Sequence, residues 1–124
     1  MTRGKENFKR VHSRFNIPLS ESAFYKTQVK PWLKQNNILF FRIETDTKRG
    51  IPDIIICRRG GFIGLELKRD AMTRPTKIQT LMGDYIKKHG GEWHVVHPDN
   101  FNEIKKKIIQ VNFTKKKPSH SLIG

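Results

Sequence analysis

The stretch that decides the fold is residues 50–68, which read GIPDIIICRRGGFIGLELK. Two apolar runs lie on either side of Arg59-Gly60-Gly61, a short glycine-containing connection that is typical of a β-hairpin. The sequence therefore predicts two paired strands, one over residues 53–58 and the other over residues 62–68. A turn at residues 50–52, marked by glycine and proline, leads into the first of them.

The second strand is apolar but carries two charged residues near its end, Glu66 and Lys68. Because residues two apart in a strand share a face, these side chains project together while Leu67 points to the other side. The hairpin brings the start of one strand beside the end of the other, so Asp53 should converge with them. Two carboxylates that bind Mg²⁺ or Mn²⁺, beside a lysine that positions water or stabilises the phosphorane, suit phosphodiester hydrolysis.

This charged pair has an alternative interpretation as a solvated strand face with a surface ion pair. Glu-x-Lys alone occurs by chance in many proteins, and exposed ion pairs are common. The Pro-Asp pair at the start of the neighbouring strand, in a strongly basic chain, favours the catalytic interpretation.

Helices are predicted on both sides of the hairpin. Ser20 is typical of an N-cap, and apolar residues at helical spacing predict a helix over residues 21–35, in which Pro31 predicts a kink or a break. A second helix is predicted to begin at Pro75 and to end at residues 89–91.

Two further strands and a third helix complete the predicted order. The strands cover residues 38–44 and 93–96, and Asp99 or Asn100 caps the last helix. The order αβββαβα predicts an α/β fold with a mixed central β-sheet flanked by helices, since the second helix allows the fourth strand to join in parallel.

The charge distribution divides the 124 residues into one domain and two arms. Residues 1–19 form a predicted basic N-terminal arm, residues 20–112 a single domain, and residues 113–124 a basic C-terminal tail. The net charge of +14 favours a polyanion, most commonly nucleic acid. A membrane surface is the competing partner, but residues 1–4 carry no myristoylation pattern and no apolar span is found, so no membrane association is expected.

Cys57 is the single cysteine of the chain, so no intrachain disulfide or cysteine-based zinc cage can form. Its apolar run predicts a buried small side chain rather than a reactive thiol. The five histidines show no ligand spacing, so no zinc site is expected. A cytoplasmic, intracellular location is expected, for a cellular or a phage-encoded protein alike.

The residues Gly50-Ile51-Pro52-Asp53, Glu66-Leu67-Lys68 and Gln79 resemble the PD-(D/E)xK nuclease superfamily, most closely its VRR-NUC branch, with similarity also to Holliday-junction resolvases of archaea and phages. The resemblance covers roughly residues 21–98. It implies a restriction-endonuclease-like core, divalent-metal catalysis and cleavage of DNA by a water nucleophile. Small stand-alone members further imply a homodimer that acts on four-way junctions.

The same resemblance assigns roles outside the hairpin. It implies Glu21 as a metal or water ligand, although a first-turn acid that complements the helix dipole is the alternative. It implies that Gln79 approaches the site from the second helix, where an ordinary exposed glutamine is the alternative. The predicted metal ligands are therefore Glu21, Asp53, Glu66 and the backbone carbonyl of Leu67.

Contact with DNA is expected from basic residues on both sides of the predicted metal, each of which could equally be a solubilising surface charge. They are Lys48, Arg49, Arg69, Arg74, Lys105, Lys106 and Lys107. A track of phosphate contacts without a recognition helix favours structure-selective over sequence-selective binding.

These patterns together predict a divalent-metal-dependent endodeoxyribonuclease that acts on branched DNA, such as a Holliday junction or a flap. One alternative is a non-cleaving basic DNA-binding module that keeps the nuclease fold. Others are a sequence-selective restriction-type nuclease and an RNA-directed nuclease.

Overall fold

The computed structural model describes residues 19–44 and 49–113. Lys48 and nearly all of the two expected basic arms lie outside these ranges. Their predicted roles therefore stay predictions.

The elements of the domain follow the predicted order around one sheet. They are α1 (Glu21–Phe24), a π-helical turn (Tyr25–Val29), α2 (Lys30–Gln35), β1 (Leu39–Arg42), β2 (Ile54–Arg58), β3 (Gly61–Leu67), α3 (Lys77–Lys88), β4 (Glu92–Val96) and α4 (Phe101–Gln110). The sheet order is β1-β2-β3-β4; the first three strands are antiparallel and β4 joins β3 in parallel. The predicted α/β fold with a mixed, helix-flanked sheet is confirmed. Among the described residues, no helix is both long and apolar enough to span a membrane.

The first helical run accommodates Pro31 by widening just before it. A proline has no N–H to donate, and its ring crowds the carbonyl four residues earlier, which here belongs to Thr27. The chain takes a π-helical turn over Tyr25–Val29 and resumes α-helical geometry at Lys30. The expected kink or break is therefore a local widening inside one continuous helical run.

The hairpin turn sets the register of the two central strands. Arg59 (φ +49°) and Gly60 (φ +84°) both have positive φ, and Arg58 pairs with Gly61. Two consecutive positive φ values define a type I′ turn, whose twist matches that of the flanking strands. The connection is thus one residue shorter than predicted, and the register places Ile54 opposite Leu65.

One face of the sheet carries the hydrophobic core. Ile54 and Ile56, alternate residues of β2, are fully buried there and belong to one cluster with the first helical run and α4. The rings of Phe24 and Phe101 meet edge to face with centroids 5.6 Å apart. This aromatic contact joins the first helix to the last across the core.

The other face of the sheet is covered only in part, by α3. Gly83 of α3 lies directly against Trp93 of β4, and Gly64 of β3 lies beneath Ile86 of α3. No helix within residues 19–44 and 49–113 covers the half of this face that β1 and β2 form.

Cys57 is exposed, so the expectation that it is buried is wrong. It pairs with Leu39 of β1, which is 57% exposed. Directly paired residues point to the same face, and this is the half that α3 leaves open. Strand parity, and not the apolar character of the run, decides the burial of this side chain.

The second predicted helix begins two residues later than expected, so Pro75 is not its first residue. Thr76 is the N-cap: its hydroxyl accepts a hydrogen bond from the Gln79 N–H at 3.2 Å. Its own N–H donates to Gln79 Oε1 at 2.8 Å. This reciprocal capping box satisfies two backbone donors at once and therefore fixes the start of α3 at Lys77.

We predict that Gly83→Ala destabilises the protein, although alanine is the better helix former. An added Cβ would lie 2.2 Å from Trp93 Cδ2, and overpacking of this kind costs about 1–3 kcal/mol, against a gain in helix propensity of about 1 kcal/mol. Urea unfolding measures the net loss. Asp84→Ala, at the exposed neighbouring position, is the control and should be neutral or slightly stabilising; equal stability of the two variants would refute the packing argument.

Candidate active site

Asp53 immediately precedes β2 and is held against β3. Its Oδ2 accepts a hydrogen bond from the Leu67 N–H at 2.7 Å, and its carbonyl accepts one from the Ile43 N–H at 2.8 Å. The ring of Pro52 packs on Gly64, where an added Cβ would lie 2.7 Å from the ring. A glycine at position 64 is therefore what lets the Pro-Asp pair lie so close to β3.

The approach to Asp53 depends on a second glycine, Gly50. Its φ is +71°, and an added Cβ would lie 2.4 Å from the carbonyl oxygen of Ile78. A side chain at this position would be strained by the backbone and would also collide with α3. The chain before Asp53 thus crosses the first turn of α3, which also carries Gln79.

Glu66 is buried beside Asp53. It is 1% exposed, and its Oε1 is buried without a hydrogen-bond partner. The two carboxyl groups lie within hydrogen-bonding reach of each other. Burial, followed by the negative charge of Asp53, raises the pKa of Glu66 to about 8.

Lys68 is held in place by Gln79. Its side chain is almost fully buried, and Nζ donates a hydrogen bond to Gln79 Oε1 at 3.1 Å. The same oxygen accepts from the Thr76 N–H. The glutamine therefore links the ammonium group to the cap of α3, and the alternative of an ordinary exposed glutamine does not describe it.

Glu21 is the first residue of α1, where the Ser20 hydroxyl caps the helix by accepting from the Ala23 N–H at 3.0 Å. Partial burial raises the pKa of Glu21, the positive charge of Lys68 opposes that rise, and the negative charge of Asp53 adds to it. These interactions place Glu21 beside the other charged residues.

The acidic residues form a pair with a neighbour rather than a closed cage. Within residues 19–44 and 49–113, no three His, Cys, Asp or Glu side chains lie close enough together to hold a metal ion by themselves. Asp53 and Glu66 are in contact, whereas Glu21 approaches from the first helix.

The Leu67 backbone is directed toward β2. The Lys68 N–H donates to the Val96 carbonyl at 2.8 Å, on the side of β4, and successive residues of a strand direct their backbone groups to opposite neighbours. On the β2 side the Leu67 N–H meets Asp53, and Pro52 has no N–H to offer the Leu67 carbonyl. This carbonyl therefore faces the side of the strand where the sequence predicts a metal ligand.

Three of the predicted DNA-binding residues lie on the segments that flank the candidate site in the sequence. Arg49, Arg69 and Arg74 are exposed, on the segments that precede Asp53 and follow Lys68. The charge of Arg69 acts on Glu21.

The predicted DNA-binding lysines of α4, residues 105–107, lie elsewhere. Lys105 Nζ is 4.6 Å from the centroid of the Phe101 ring and 5.9 Å from that of Trp32. Trp32 is far along the helical run from Glu21, roughly 16 Å at 1.5 Å per residue. The structure therefore does not bring these lysines to the carboxylates.

Sequence reasoning missed two features of this region. The Thr-x-x-Gln spacing from Thr76 to Gln79 is a capping-box signature and could have been recognised. Arg42, at the end of β1, has its guanidinium carbon 4.0 Å from the centroid of the Tyr25 ring. A charged residue inside an apolar strand was the available signal for Arg42, but its aromatic partner could not be deduced from spacing.

Comparisons with known proteins identify the fold. No family model matches this chain, and no curated protein matches it. A solved structure described as a VRR_NUC domain is similar, with a TM-score of 0.59 and 22% sequence identity, over 74% of this chain and 98% of the other. The chain shares the VRR-NUC fold. The architecture implied by the sequence resemblance is thereby confirmed, and the similarity extends over almost the whole of the solved domain.

The raised pKa of Glu66 predicts a stability that depends on pH. In the unfolded chain the Glu66 carboxyl group ionises near pH 4.5 and in the folded protein near pH 8. Its contribution to the free energy of unfolding is therefore fully present below about pH 4.5 and is lost as the pH rises toward 8. We expect Glu66→Gln to gain stability relative to the unsubstituted protein, by more than about 1 kcal/mol between pH 5 and pH 8 without divalent metal.

Urea unfolding at several pH values, in chelator, tests this expectation. Glu103→Gln, at an exposed position of α4, is the matched control, and its stability difference should stay nearly constant. A constant difference for Glu66→Gln as well would show that Glu66 ionises normally in the fold.

Proposed function

We propose that this protein is a divalent-metal-dependent nuclease that hydrolyses DNA phosphodiester bonds. The observation that carries the proposal is the convergence of Asp53, Glu66 and Lys68 at adjoining ends of β2 and β3, with one Glu66 oxygen buried and unpartnered. A purely structural charge pair would satisfy that oxygen, because an orphaned buried acceptor costs free energy.

The donor set fits a hard divalent cation such as Mg²⁺ or Mn²⁺. Asp53 and Glu66 offer carboxylate oxygens within reach of each other, and a bound cation would oppose both the burial and the repulsion that raise the pKa of Glu66. The Leu67 carbonyl is the proposed third protein ligand. Mg²⁺ commonly takes its remaining ligands from water and substrate phosphate, so a closed protein cage is not required.

The lysine and the first-helix acid have separate roles in the proposed reaction. When bound, the metal ion neutralises the phosphate charge and favours deprotonation of water. Lys68, fixed by Gln79, positions the attacking water or stabilises the phosphorane by donating from Nζ. Glu21 interacts electrostatically with Lys68 and Asp53, and its proposed role is to accept a hydrogen bond from the attacking water.

The proposed substrate is branched DNA, a Holliday junction or a flap. The net charge of +14 and the exposed arginines on the segments before Asp53 and after Lys68 support backbone binding, and they support no base-specific readout. The preference for branched DNA and the homodimer that two coordinated cuts would need rest on the family resemblance.

We predict Mg²⁺-dependent cleavage that is lost when the site is altered. Glu66→Gln and Lys68→Ala should each lower the rate at least about a hundredfold, as expected for groups that stabilise developing charge. Gln79→Ala should lower it by about 10- to 100-fold, because it acts through Lys68. The assay compares labelled four-way junction, flap, linear duplex and single-stranded DNA.

Lys88→Ala is the control, since Lys88 is exposed at the far end of α3; its rate should match that of the unsubstituted protein. Tight DNA binding without cleavage in Mg²⁺ or Mn²⁺ would identify a binding module instead. Preferential cleavage of linear duplex would remove the junction preference but keep the nuclease.

A further inference from the structure

Arg42 presents a positive charge that the catalytic residues do not use. Its guanidinium stacks on Tyr25 with the carbon 4.0 Å from the ring centroid, and its Nε is buried without a hydrogen-bond partner. Within residues 19–44 and 49–113, no carboxylate forms an ion pair with it. Within these ranges the guanidinium is therefore held by an aromatic ring rather than by an ion pair.

The aromatic platform is built into the first helical run. Tyr25 is 7% exposed and begins the π-helical turn that precedes Pro31. Single π-helical turns are rare and are frequently found at functional sites. The ring beneath Arg42 thus belongs to the first residue of the turn that precedes the proline.

Arg42 lies next to the carboxylates but on the other side of the sheet. It pairs with Ile54, the residue after Asp53, so its side chain leaves the opposite face from that of Asp53. Its charge nevertheless acts on the Glu21 carboxyl group. Arg42 therefore lies at the same end of β2 as Asp53 and within electrostatic range of Glu21.

We propose that Arg42, stacked on Tyr25, binds a backbone phosphate adjacent to the one that is cleaved. A planar guanidinium donates to phosphate oxygens in a fixed geometry, and stacking on a ring orients it in advance. This assignment rests on the proposed nuclease function and makes Arg42 a positioning residue for the DNA strand. It takes no part in the chemistry at Asp53, Glu66 and Lys68.

Binding of a labelled DNA duplex at several salt concentrations tests the assignment, in proteins that also carry Glu66→Gln so that the DNA stays intact. Adding Arg42→Gln should raise Kd about tenfold and lower the slope of log K against log salt by about 0.9, the value for one lost phosphate contact. Arg59→Asn removes one charge at the distant hairpin turn, where φ is +49° and asparagine is tolerated. It should change the slope far less, and an equal change in both variants would overturn the proposal.

Conservative variants separate recognition from folding. Arg42→Lys keeps the charge but loses the planar group, so it should retain the salt slope and still bind several-fold more weakly. Tyr25→Phe keeps the stacking ring and should bind like the parent, whereas Tyr25→Leu should weaken binding. Thermal unfolding of each protein confirms that it is folded at the assay temperature.

Neutral methylphosphonate linkages, placed one at a time along the arms of a four-way junction, locate the contact once the catalytically intact protein has been used to map the cleavage position on that junction. One linkage beside the cleavage position should weaken the parent but not Arg42→Gln; loss at every position alike in both proteins would contradict the proposal. In the catalytically intact background, Arg42→Gln should raise KM more than it lowers kcat.

The two proposals can fail separately. If the unsubstituted protein cleaves DNA and Arg42→Gln matches Arg59→Asn in every measurement, only the Arg42 assignment falls. If Arg42→Gln lowers the slope of log K against log salt but no metal supports cleavage, the proposed nuclease function is refuted and Arg42 remains a phosphate-binding residue.

Discussion

The hydrogen bond from the Leu67 N–H to the Asp53 carboxylate is the contact on which the candidate site depends. It fastens the residue before β2 to the end of β3, beyond the last paired residues of the two strands. The Asp53 side chain supplies the acceptor for this N–H, a position that a backbone carbonyl fills within the paired part of the two strands. Because Asp53 is fixed there, Glu66 is buried beside a second carboxylate, which gives the site its electrostatic character.

Burial and ionisation oppose each other at this carboxylate pair. A buried carboxyl group with an unpartnered oxygen destabilises the folded chain as it ionises, and a bound cation would reverse that cost. The surrounding fold is closely packed. A continuous hydrophobic core lies on one face of the sheet, and the glycines at positions 50, 64 and 83 allow close contacts on the other. Two carboxyl groups in contact, one of them with a raised pKa, are expected more often at functional sites than among residues that only pack the core.

Local sequence patterns predicted most elements because their causes are local. The hairpin follows from Arg59 and Gly60, and the convergence of Asp53 with Glu66 follows from the period of two in paired strands. Where a local rule failed, another contact prevailed. The helix α3 begins at Lys77 and not at Pro75 because the Thr76–Gln79 capping box fixes its start. Cys57 is exposed because α3 does not extend over β1 and β2.

The sequence by itself determined the order αβββαβα, the charge, and the spacing of the acidic residues proposed as metal ligands, since these depend on composition and on spacing within single elements. Only the tertiary structure decided that Gln79 holds Lys68, that Arg42 stacks on Tyr25, and that the α4 lysines lie far from the carboxylates. Each of these depends on how separate elements pack, because contacts between distant segments are set by the global arrangement of the chain and not by any local period.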